Sequence, residues 1–260
     1  MTATPTAAGD TLARDRADAR LLRFGVAFVW IATGLLVVHP LYRSIGAAYL
    51  LRLGLPEWLM VATCALEVAL GVRVALGPAT EWWTLLQASM VATFTALLAV
   101  VDPWLLVSPF GMLTKNLPFV AAVVAAWLLE REGATPRARW LVRGGAAMVW
   151  ITEGLFPKLL FQQASELGIA EQMGVAAGRP ELFVGALGVA QLASGVAVLA
   201  LRGRLRRLVL SCQLVGLVTL PLFVTWFVPW LWVHPFGPLT KNAPLLACTW
   251  LLLRRDADWA

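Results

Sequence analysis

Charge is scarce in this sequence. Asp, Glu, Lys and Arg make up only 14% of the 260 residues, while apolar residues make up 60%. A soluble domain carries roughly a quarter of its residues as charges, so an ordinary soluble globule is excluded. Histidine is nearly missing. His39 and His234 are the only two, each precedes a proline, and neither has a cysteine or carboxylate at ligand spacing. The usual zinc patterns and the facing axial ligands of a haem are therefore lacking, and neither a metal site nor a covalent cofactor is expected. The three cysteines, Cys64, Cys212 and Cys248, form no Cys-x-x-Cys unit. They read as buried small hydrophobes, with a Cys212–Cys248 pair open only if their helices meet. No glycine-rich phosphate loop, catalytic triad or nucleotide motif is visible. The first twenty residues hold no apolar run, so no cleavable signal peptide is expected.

What fills the chain instead is long apolar runs bounded by Arg, Trp, Pro and Gly. They predict an all-α integral membrane protein with eight transmembrane helices, near 22–38, 58–76, 83–101, 115–130, 144–161, 181–201, 206–228 and 240–254. Arg14, Arg16, Arg20, Arg23, Arg131, Arg137, Arg139, Arg143, Arg202, Arg204, Arg206, Arg207, Arg254 and Arg255 all fall on one side of that count. The positive-inside rule makes that side, and both termini, cytoplasmic. The net charge of +6 then reflects topology and contact with membrane lipids, not nucleic acid. A bacterial cytoplasmic membrane is the expected location.

The chain is also internally repeated. The phrase Ser108-Pro109-Phe110-Gly111-Met112-Leu113-Thr114-Lys115-Asn116-Leu117-Pro118 returns 126 residues later as His234-Pro235-Phe236-Gly237-Pro238-Leu239-Thr240-Lys241-Asn242-Ala243-Pro244, with eight of eleven positions identical. Val29–Leu35 matches Val149–Leu155, and Pro103-Trp104 matches Pro229-Trp230. A repeat of this length implies duplicated structural units. Two tandem four-helix bundles follow, 20–133 and 140–260, with a polar tail at 1–19 and a cytoplasmic linker at 134–139. The even helix number gives both copies the same orientation. The connections at 39–57 and 162–180 carry amphipathic stretches that predict short interfacial or re-entrant helices.

Charged groups at bilayer depth are costly and point to function. Glu67 and Glu153 both fall near the middle of their helices. Gln191 is the repeat counterpart of Glu67, and Thr33 that of Glu153. Lys158 follows Glu153 across Pro157, where a kink is expected. Glu153, Lys158 and Glu67 are the candidate catalytic, proton-handling groups; a structural Glu–Lys contact is the alternative. Lysine is rarer still than acid: Lys115, Lys158 and Lys241 stand against eighteen arginines. Two of the three occupy the same repeat position. Thr114 or Thr240 can cap the helix start behind it. With the helix N-terminus, Lys115 and Asn116, or Lys241 and Asn242, favour an anion or a carbonyl oxygen. A lipid phosphate, a quinone oxygen and an oxyanion all fit; a lysine snorkelling beside a cap is the bland alternative. Thr114, Lys115, Asn116, Gln191, Thr240, Lys241 and Asn242 make up the candidate binding set.

These residues resemble the DoxX-like membrane proteins. The family's Trp-x-x-Glu-Gly-Leu-x-Pro-Lys stretch is similar to Trp150–Lys158, and its Pro-Phe-Gly-x-Leu-Thr-Lys-Asn-x-Pro stretch occurs in both copies. The first copy lacks the Glu and Lys of the first stretch, and the second has Gln191 in place of Glu67. The resemblance implies a membrane subunit of a quinone-linked oxidoreductase, working with a partner redox protein or as a homo-oligomer. The alternatives are a non-catalytic lipid- or small-solute-binding protein, or a membrane scaffold for a partner enzyme.

Overall fold

The computed structural model describes residues 7–174 and 178–259, and the described residues are helical throughout, with no strand. Ten helices follow in order: α1 Ala7–Leu35, α2 Pro40–Arg52, α3 Trp58–Leu76, α4 Glu81–Val101, α5 Asn116–Glu132, α6 Pro136–Gly154, α7 Ala164–Gln172, α8 Pro180–Ala200, α9 Gly203–Phe227 and α10 Asn242–Arg255. The expected helices are recovered within a few residues at most ends. The two long connections contain α2 and α7. Residues 175–177 of the second connection lie outside the described residues.

The two halves use their helices alike. Within each, the first helix packs on the second and on the fourth: α1 on α3 and α5, α6 on α8 and α10. Across the halves, α1 meets α10 and α5 meets α6. The first and fourth helices of both units therefore form the centre, and α3, α4, α8 and α9 lie outside. The close packing of first and second helices requires glycine. A Cβ on Gly71 would lie 3.0 Å from the carbonyl oxygen of Ala27, and one on its counterpart Gly195 would lie 2.7 Å from that of Ala147.

Five helical stretches are long and apolar enough to cross a membrane: Thr11–Val38, Trp58–Leu76, Glu81–Val101, Pro180–Ala200 and Gly203–Phe227. The other three expected spans, α5, α6 and α10, do not meet that measure. They are shorter or carry charge, and they sit in the protein core, where Phe119, Leu129, Val142, Leu245 and Leu251 are buried. A helix shielded by neighbouring helices can be less apolar than one facing lipid.

From Ala7 onward, the expected polar tail 1–19 forms the first turns of α1; residues 1–6 lie outside the described set. The reason is electrostatic. Asp15 and Asp18 are buried, and Arg255 bridges them, with Nη2 at 3.0 Å from Asp15 and Nε at 2.7 Å from Asp18. Arg254 also pairs with Asp18, and Arg206 with Asp256. Asp15 accepts from the backbone N–H of Ala134 in the linker (2.9 Å). The start, the middle and the end of the chain are thus tied at one end of the bundle.

Removing one partner of a buried ion pair costs about 3–5 kcal/mol, whereas exposed pairs contribute about 0–1 kcal/mol. Asp18→Ala is therefore expected to lower the thermal unfolding midpoint of the detergent-solubilised protein clearly. Arg131→Ala, which removes the exposed pair with Glu81 and a cation–π contact with Trp127, should lower it much less.

Candidate functional site

Each repeated phrase runs through a tight turn. Gly111 and Gly237 both have positive φ (70° and 57°), and a side chain there would strike Lys115 or Thr240. The turn sends each lysine across to the other half. Lys115 Nζ donates to the carbonyl of Pro238 at 2.7 Å, and Lys241 Nζ donates to the carbonyl of Met112 at 3.0 Å. Met112 and Pro238 occupy the same place in the two phrases, so the exchange is reciprocal. Lys115 is buried and Lys241 is partly buried.

This exchange builds two hybrid cavities. The larger, about 230 Å³, lies in the first half. Val29, Trp30, Thr33, Glu67, Phe94, Leu98, Asn116 and Phe119 line it, and Phe236 and Lys241 enter from the second half. The smaller, about 130 Å³, lies in the second half. Val149, Trp150, Glu153, Gln191, Leu220, Val224, Asn242 and Leu245 line it, and Phe110 and Lys115 enter from the first half. The residues named correspond position for position across the repeat; the larger cavity is further lined by α2, through Tyr42 and Tyr49, and the smaller by Lys158 and Glu166. Each cavity thus holds its own asparagine and the other half's lysine and phenylalanine. Lys115 is separated from Asn116, and Lys241 from Asn242, because the turn directs consecutive side chains to opposite sides.

The remaining candidates fall into the same two places. Thr114 donates from Oγ1 to Glu153 Oε1 at 2.7 Å, a contact between halves. Thr240 Oγ1 donates to the carbonyl of Gly237 at 3.2 Å. Neither threonine caps its helix through the side chain; those hydroxyls are spent on carboxylate and turn instead. Asn116 Nδ2 donates to Thr95 Oγ1 at 2.7 Å. Glu67 is buried in the larger cavity, and its Oε2 has no protein partner. Pro157 produces no simple kink: α6 passes into a π-helical turn, Leu155–Leu160. That turn buries Lys158, whose Nζ pairs with Glu166 Oε1 at 2.8 Å. Glu166, on α7, was not singled out in the sequence, because it lies in a connection outside the expected spans. All three cysteines are free, including Cys212 and Cys248. Cys64 does line the larger cavity, with its Sγ 3.3 Å from the hydroxyl of Tyr42.

The two histidines are structural. His39 Nδ1 accepts from the N–H of Leu41 at the start of α2 (3.2 Å). His234 Nδ1 accepts from the N–H of Phe236 (3.3 Å), and burial together with the nearby Lys241 ammonium pushes its pKa from 6.5 down to about 4.

Repeated four-helix units with paired internal cavities define the class of protein, a helical membrane protein built by duplication. The chain belongs to the DoxX-like family, whose pattern matches residues 27–124 and again 147–250. No curated protein and no solved structure matches it.

Two outcomes test this geometry. Lys115→Met and Lys241→Met each leave a carbonyl of the opposite phrase unpaired, so each should cost about 1–3 kcal/mol and lower the unfolding midpoint by a similar amount. For His234, the unfolded imidazole takes up a proton below pH 6.5, while the folded one does so only near pH 4. Stability must therefore fall as pH drops through that window and stay unaffected by this group above it. His234→Asn, which keeps an acceptor but does not titrate, should reduce the loss of midpoint between pH 7 and pH 4 relative to the parent protein.

Proposed function

We propose that the protein is a membrane subunit of a quinone-linked oxidoreductase and that the larger cavity holds the quinone ring. The observation that carries this reading is the unpartnered, buried Glu67 Oε2 in a cavity that also holds the Lys241 ammonium and is otherwise mostly apolar. An engineered apolar cavity of about 150 Å³ holds benzene, so about 230 Å³ admits a substituted six-membered ring. The donor set fits a carbonyl-headed ligand. Lys241 gives one N–H to Met112 and keeps two more for a ligand oxygen. Glu67 Oε2 can accept from a hydroxyl or hold a proton beside it. Trp30, Phe94 and Phe119 supply flat apolar walls.

A bound quinone supplies a two-electron, two-proton carrier. The chain's own part is to orient the ring through Lys241, to hold a proton at Glu67, and to exclude water with the aromatic wall. A partner redox protein provides the other half of the couple. In this reading all eight long helices cross a bacterial cytoplasmic membrane, α5, α6 and α10 within the ring of the others, with both termini cytoplasmic. The concentration of arginines at the end that carries both termini supports that orientation.

The reading is tested with purified protein in lipid nanodiscs and a decyl-tailed benzoquinone, following quenching of tryptophan fluorescence. Saturable quenching is expected, weakened about tenfold or more by Glu67→Gln or Lys241→Met, a loss of about 1.4 kcal/mol. Lys115→Met should have little effect, because that ammonium lies in the other cavity. Decylbenzene, which lacks the oxygens, should not compete. Quenching that never saturates, or that is indifferent to Glu67 and Lys241, would refute the assignment.

A further inference from the structure

The smaller cavity is not a copy of the larger one in chemistry. In the first half Trp30 and Asn116 are satisfied by their neighbours, and Glu67 Oε2 is the unpaired atom of that cavity. Trp30 Nε1 donates to Gln87 Oε1 at 3.0 Å, and Asn116 donates to Thr95. In the second half both partners are withdrawn. Gln213, the counterpart of Gln87, turns to Ser194 Oγ at 2.7 Å. Pro221 stands where the first half has Thr95. Trp150 Nε1 is consequently left without a protein partner; Asn242 Oδ1 is also unpaired, as are Gln191 Oε1 and Glu166 Oε2. Trp150, Gln191 and Asn242 are each more than nine-tenths buried, and all four residues line the cavity. Pro221 also lacks the N–H that would bond the carbonyl of Leu217, one turn back in the same wall. Buried polar groups are almost always paired, so several orphans around one cavity mark a place built for a ligand.

The same groups define what that ligand is. The lining carries two ammonium groups, Lys115 and Lys158, and two carboxylates, Glu153 and Glu166, whose formal charges cancel. Lys115 is engaged by the Pro238 carbonyl, and Lys158 by Glu166. An incoming anion would meet two carboxylates beside the two ammonium groups and gain no net attraction from the lining. The orphan atoms comprise three acceptors and one donor, so they call for a molecule that mostly donates hydrogen bonds. The cavity's volume of about 130 Å³ accommodates roughly the six heavy atoms of benzene. We infer that the second cavity is a separate binding site for a small, uncharged, hydrogen-bond-donating solute, of the amide or polyol class. This site does not rest on a quinone in the first cavity.

Equilibrium dialysis of the full chain in nanodiscs against radiolabelled glycolamide tests it, with glycolate as the anion of nearly the same shape. Saturable glycolamide binding is expected, with glycolate at least about tenfold weaker. Gln191→Leu and Trp150→Phe should each weaken glycolamide about tenfold, and Glu67→Gln should leave it unchanged. Gln191→Leu replaces an orphaned polar atom by an apolar one, so its unfolding midpoint should hold and report that the fold is intact, whereas Trp150→Phe also removes buried ring atoms and should lower the midpoint modestly. Absence of saturable glycolamide binding overturns the inference, as does glycolate binding as well as glycolamide. Glycolamide binding that is lost in Glu67→Gln but kept in Gln191→Leu would move the solute to the first cavity and overturn it equally. Quinone quenching failing while glycolamide binds would reject the quinone reading alone.

Discussion

Two lysines, Lys115 buried and Lys241 partly buried, each hydrogen-bonded to a backbone carbonyl of the opposite repeat, are the contact on which the arrangement depends. A lysine ammonium is costly to bury and is tolerated only where it finds acceptors and countercharge. Lys115 finds the Pro238 carbonyl near Glu153, and Lys241 finds the Met112 carbonyl in the cavity of Glu67. Neither half can satisfy its own lysine in this way. The exchange therefore ties the two four-helix units together at one end of the bundle, as the Asp15–Asp18–Arg255 cluster ties them at the other. Between those two polar clamps, the central helices pack mainly through apolar side chains, with Arg23 of α1 paired to Glu130 of α5.

A consequence of the exchange is that neither cavity belongs to one repeat. Each takes its asparagine and its midplane residues from one half and its lysine and phenylalanine from the other. Duplication then allows the two to diverge. The first kept Thr95, Gln87 and Glu67, giving a roomy, mostly apolar cavity with one acidic and one basic group. The second has Pro221 and Gln191 at the corresponding positions, and its Gln213 faces elsewhere, so its polar atoms stand open. Phe110 shows the same divergence in the backbone: it has φ of 67°, while its counterpart Phe236 does not share the left-handed conformation.

Much of the fold was legible in the sequence because it rests on periodic signals. Apolar runs located the helices, the repeated phrase located the duplication, and amphipathic stretches located α2 and α7. The candidate residues were legible as types, since Glu67, Glu153, Lys115, Lys158 and Lys241 are rare groups in an apolar chain. Their partners were not. Whether Lys115 sits with Asn116 or opposite it depends on the turn at Gly111, and sequence adjacency favours the wrong choice. Lys158 reaches Glu166 because Pro157 turns the end of α6 into a π-helical turn rather than a kink. The early turns of α1 looked like a tail because Asp15 and Asp18 are charged; only the tertiary ion pairs show why they are buried. α5, α6 and α10 were expected as spans from their apolar runs, although their shortness or charge sets them apart from the other five helices.

With only three lysines in the chain, solid-state NMR can test the reciprocal exchange directly. Lysine is labelled with ¹⁵N at Nζ and methionine with ¹³C at the carbonyl, and the dipolar dephasing between them is measured in lipid. The account predicts a close lysine–methionine contact that disappears in Met112→Leu and in Lys241→Arg and survives in Lys115→Arg. A spectrum with no such contact, or one in which the contact depends on Lys115 instead, would contradict it.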